Sequence, residues 1–210
     1  MTPGRALVLT RAGASHTDAW VRRGLVAAYV LDLPGWTAVV SAEDRSRATE
    51  PYDDADTALL AHAGDRRTRP LVGLGVSAHR AVLTLQERSW YPEPRWLVWT
   101  PQSGLVDAPG LRRPAPSALL GATGAGAHGV SVRDLRAVLE TRGGRTAAWA
   151  DAVMATLGLP GANYLLGESA PALATGARLV EPEPWAVDRF ESLVREDEED
   201  ARWREECDER

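Results

Sequence analysis

Residues 71–86 read LVGLGVSAHRAVLTLQ, two apolar runs joined tightly at Ala78-His79. Alternation puts Val72, Leu74 and Val76 on one side of the first run. Ala81, Leu83 and Leu85 match them on the second. Side chains of a strand alternate with a period of two, so this pattern demands a β-hairpin with one face buried. Whatever else the chain builds has to be arranged around a sheet containing this hairpin.

Flanking segments extend the sheet. Arg5–Thr10 (RALVLT) and Trp36–Ser41 (WTAVVS) read as strands. RWLVWT (95–100) is another, turned by PQSG into GLVDA. Between the first two strands, Ser15 or Thr17 can cap a helix whose apolar face is Trp20, Leu25, Ala28 and Tyr29, ended by Pro34-Gly35. Pro51–Ala63 reads as a second helix with Asp53, Asp54 and Asp56 in its first turn, where carboxylates complement the helix dipole. The expected fold class is α+β: a mixed or antiparallel sheet with helices on one face, followed by a C-terminal helical segment. The α+β sandwich spans residues 1–109. Residues 110–130, rich in Pro, Gly and Ala, read as a linker. Residues 131–180 form a helical hairpin packing on the first domain, opened in capping-box style by Ser131 and Asp134. Residues 181–210 are an acidic C-terminal helix or tail.

Charge divides the chain in the same way. All 24 basic side chains are arginine, and the net charge is −5. Residues 181–210 carry 13 acids against 5 arginines, which leaves the first 180 residues at +3. The absence of lysine removes Schiff-base chemistry, a pyridoxal-phosphate anchor and the Walker-A and kinase phosphate lysines. It is also the bias that a high-GC bacterial genome produces. The only cysteine, Cys207, excludes an internal disulfide and a cysteine-built zinc site. No apolar run reaches 18 residues, and MTPGRALVLTR is not a secretory leader. A cytoplasmic protein with no membrane partner is expected.

Motifs with chemical potential are few. Asp53, Asp54 and Asp56 lack the glycine and terminal glutamate of an EF-hand loop, and dipole complementation explains them. Gly121, Gly124, Gly126 and Gly129 miss the spacing of a dinucleotide fingerprint. Gly73 and Gly75 share a strand face, which permits close approach of a ligand or, more simply, of a packing helix. His16, His62, His79 and His128 show no metal-ligand spacing. His79 stands near Ser77, but the flanking residues are not a nucleophile elbow. No cofactor and no metal is expected.

The densest aromatic and basic cluster is Arg88, Trp90, Tyr91, Arg95, Trp96 and Trp99, with Trp203 isolated in the acidic end. Strand parity sends Trp96 to one face and Trp99 to the other, so one of them fills core. Tryptophan and arginine are the residues that dominate interface hot spots. These seven residues are therefore the expected interaction surface of a non-enzymatic adaptor or regulatory module whose partner is another protein. One alternative is a small hydrolase or transferase with a site near His79. A second is a single-stranded nucleic-acid binder autoinhibited by its acidic tail; nucleic acid is the less favoured partner, because phosphate binding needs a wide basic field.

Overall fold

The computed structural model describes residues 5–88 and 93–208. Its centre is one eight-stranded antiparallel sheet. In chain order the strands are β1 (Arg5–Thr10), β2 (Ala28–Leu33), β3 (Trp36–Ser41), β4 (Leu71–Val76), β5 (Ala81–Gln86), β6 (Arg95–Thr100), β7 (Gly104–Val106) and β8 (Arg178–Val180). Across the sheet they run β7-β6-β5-β4-β1-β3-β2-β8. The β4–β5 hairpin has the register that its alternation requires, pairing Val72 with Leu85, Leu74 with Leu83 and Val76 with Ala81. Both edge strands have only three residues, which gives little backbone for strand addition.

The helices are α1 (Ala14–Arg22), α2 (Ala55–Ala61), α3 (Pro116–Thr123), α4 (Val132–Leu139), α5 (Thr146–Leu157), α6 (Ala162–Leu165) and α7 (Pro184–Asp208). The protein is α+β with a long C-terminal helix, and each face of the sheet has its own helical layer. On one face α1 and α2 bring Trp20, Val21, Leu59 and Leu60 onto Ala6, Val8, Val30 and Val39. On the other, α3 to α6 bring Leu119, Leu135, Trp149, Val153, Met154 and Leu165 onto Leu7, Leu9, Leu74, Leu83 and Trp99. The division follows strand parity. Val40, Leu7, Leu74, Leu83 and Leu97 form one cross-strand row beneath the second layer.

Three segments depart from the sequence expectation. The first helix stops at Arg22, and residues 28–33 are strand β2. Tyr29, Val30 and Leu31 favour a pleated surface, and Pro34-Gly35 closes a two-residue hairpin that pairs Leu33 with Trp36. Gly35 sits at φ 74°, a conformation that a side chain resists. The second helix starts later than expected: Asp54 is its N-cap, accepting from the Thr57 amide at 2.7 Å, and only Asp56 lies in its first turn. Residues 116–123, expected within the linker, are helix α3. Pro116 starts it, and Leu119 is wholly buried in the core.

Candidate binding surface

Among the described residues the structure does not gather the aromatic and arginine side chains into one patch. Trp99 is wholly buried, stacked on Trp149 at 5.3 Å with its indole N–H donating to the Thr141 carbonyl at 2.6 Å. It fills core and cannot serve as a contact residue, which corrects its place on the expected surface. Arg95 is ion-paired to Glu87 at 2.9 Å. Arg88 is exposed and donates to the Arg69 carbonyl at 2.9 Å. Trp203 is 70% exposed on α7. Trp90 and Tyr91 lie outside the described residues.

Trp96, on the opposite face from Trp99, lines a cavity of about 480 Å³. Its floor is the cross-strand row Gly75, Val82 and Val98, with Trp96, from the adjacent row Gly73, Thr84 and Trp96, beside it. The α1–α2 layer reaches only as far as the glycines. A Cβ on Gly73 would lie 2.7 Å from one Leu60 methyl, and a Cβ on Gly75 would lie 2.8 Å from the other. The glycines thus let α2 descend onto the sheet, and Leu60 becomes a wall of the cavity. Beyond that wall Val82, at the margin of the α1–α2 core, and Val98 are only half-buried. Leu111, 43% exposed, forms the far side, held there because the Trp96 amide donates to the Arg112 carbonyl at 2.7 Å.

Polar groups stand at the cavity margins. Asp54, Asp56 and Thr57 come from α2, and Ser77 and Arg80 from the β4–β5 turn. Burial pushes the Asp56 carboxyl above its ordinary value, a hydrogen bond from Ser41 opposes this, and the neighbouring Asp54 charge adds to the rise. Asp53 is ion-paired to Arg45 at 3.4 Å, whereas neither Asp54 nor Asp56 has a cationic partner among the described residues. The surface can therefore take an apolar group on its floor and a cation at its α2 margin.

The histidines do not converge. His79 is exposed at the turn and has no hydrogen-bond or ion-pair partner among the described residues. The Ser77 hydroxyl is engaged with Arg80 backbone groups of the same turn. His16 and His128 are exposed on other elements, and His62 is packed against Trp20. Sequence reasoning missed Leu60, Val82, Val98 and Leu111 as cavity residues. The usable signal was the Gly73/Gly75 pair, which marks where a helix ends its cover of the sheet. No family model, curated protein or solved structure matches the chain. Among the described residues no helix is long and apolar enough to cross a membrane.

Proposed function

We propose that this chain is a non-enzymatic, cytoplasmic interaction module that holds a segment of another protein in the cavity between α2 and the β4–β6 face. The occupant is a peptide stretch with a large apolar side chain followed by an arginine or lysine. The observation that carries the reading is the half-buried row Val82–Val98 lining the cavity, with Trp96 beside it and, at its margin, two carboxylates that have no ion-pair partner among the described residues. Burying one large aliphatic side chain on that floor contributes about 1.5–3 kcal/mol. A cation beside Asp56 relieves a carboxylate that burial already disfavours. Tryptophan with a half-exposed ring is the residue type on which such interfaces concentrate their binding energy.

The test is selection of a displayed random-peptide library on the full chain, followed by affinity measurement for the winners. The expected winners carry an aliphatic or aromatic residue next to a basic one. V82D is expected to abolish their binding. D54N, which keeps the helix cap, and D56N are expected to weaken it roughly tenfold. Winners without a basic residue, or equal binding by V82D, would overturn the reading.

A further inference from the structure

Where β1 and β5 end and β4 begins, two cavities of about 590 and 1020 Å³ share Arg88 as a common wall. Arg11 lines the first, with Ser117 and Gly121 of α3 opposite. His16, Arg66, Arg67 and Arg69 line the second. Five guanidinium groups thus come from three separate segments: the end of β1, the 65–69 loop and the residue two past β5.

Several of these groups are held in place. Arg11 lies over the Trp36 ring at 4.8 Å and donates to the Thr123 carbonyl at 2.6 Å. Arg88 and Arg69 each spend their Nε–H on a backbone carbonyl, of Arg69 and of Asp65 respectively. Arg69 is 8% exposed, so one wall of the larger cavity is a buried arginine rather than a loose surface side chain.

The nearby carboxylates are already committed. Asp65 accepts from the Arg67 and Thr68 amides at 2.8 and 2.9 Å and is ion-paired to Arg23 at 2.7 Å. Glu87 is ion-paired to Arg95. Among the described residues Arg11, Arg66, Arg67 and Arg88 have no ion-pair partner. Glu87 also lines the first cavity, but its charge is met by Arg95, so these cations are crowded beside a carboxylate that is already paired; this costs free energy, and a bound anion recovers it.

We infer that this cleft is a binding site for a small ligand with two or more phosphate groups, seated in the two cavities with Arg88 between them. A phosphate is tetrahedral and accepts hydrogen bonds from several directions, which suits guanidinium forks from three segments. A carboxylate is planar and is satisfied by one fork in its own plane. The α3 wall beside Arg11 is built of small residues, Ser117, Ala118 and Gly121, and leaves room for the ligand there. The site lies away from the peptide cavity and does not depend on it.

Isothermal titration of the full chain with inorganic tripolyphosphate, citrate and a single-stranded oligothymidylate tests the inference. Tripolyphosphate is expected to bind saturably at one site per chain. R66A/R67A and R88A should each weaken it about tenfold or more, by the loss of charge-assisted hydrogen bonds. R22A, at the far end of α1, should leave it unchanged. Arg66 and Arg67 are exposed, so the double variant keeps its fold, and an unshifted melting temperature checks this. Four results would overturn the inference: no saturable binding, equal binding by R66A/R67A, citrate binding as tightly as tripolyphosphate, or an oligonucleotide that outcompetes it.

Discussion

His62 shows how one half-buried side chain sets the pH response of the fold. Its ring stacks on Trp20 at 4.7 Å, and its Nε2–H donates to the Trp20 carbonyl at 2.9 Å. Burial lowers its pKa from the ordinary 6.5, against the carbonyl hydrogen bond, which acts to raise it. The unfolded chain takes up a proton below pH 6.5 that the folded chain refuses. The stability His62 contributes is thus complete above pH 6.5 and is lost as pH falls toward its lowered value, by up to about 1.4 kcal/mol per pH unit. Asp56 acts in the opposite sense, because its raised pKa makes the folded chain the better proton acceptor just above 3.8. Urea midpoints between pH 7.5 and 5 are expected to fall for the wild type and to stay flatter for H62Q. Parallel curves would show that His62 does not set this limb. Little of this was legible at the residue scale. Strand parity separated Trp96 from Trp99, but only the arrival of Trp149 and Thr141, from segments more than 40 residues later, decides which one is buried.

At the scale of elements, legibility followed locality. The β4–β5 hairpin was readable because its alternation, its turn and its partner lie within 16 residues. The capping box of α4 was readable for the same reason: the Asp134 amide donates to the Ser131 hydroxyl oxygen at 3.1 Å, and the Asp134 carboxylate accepts from the Ser131 amide at 3.1 Å. Strand β2 was hidden because Trp20, Leu25, Ala28 and Tyr29 also satisfy helical spacing. The competing signal, two strands closed by Pro34-Gly35, needs β3 as its partner. Helix α3 was hidden by its composition. Its glycine and alanines read as a connection, and its buried side chains are Leu119, Leu120 and Thr123. The two readings of residues 116–123 differ in their energetics. As a core helix, α3 makes L119A cost about 2–5 kcal/mol, as truncation of a fully buried leucine does. In a surface connection the same change stays within about 0.5 kcal/mol. Denaturant unfolding of L119A measures the difference directly.

For the molecule as a whole, α7 separates folding from solubility. Its first half belongs to the body: Ala186 is buried, Phe190 meets Tyr52 edge to face at 5.4 Å, and the Glu183 amide just before it donates to the Arg22 carbonyl. From Arg195 to Arg204 every residue is exposed. Residues 1–194 hold 20 arginines and 20 acids, so the whole net charge of −5 resides in the last sixteen residues. Arg195–Arg204 therefore add no buried side chain, and the charge of this end keeps copies of the protein apart. A chain ending at Val194 is expected to melt within about 2 °C of the full protein, since Arg195–Arg204 are all exposed. Its solubility at pH 7 should fall several-fold, with recovery on moving the pH away from neutrality. A chain ending at Val180 loses the Ala186 and Phe190 contacts as well, and its melting temperature should drop by roughly 5–10 °C. Calorimetry and light scattering on the three lengths separate these effects. If the Val194 form melts as low as the Val180 form, the charged half of α7 is packed on the body; if its solubility is unchanged, charge is not what that half supplies.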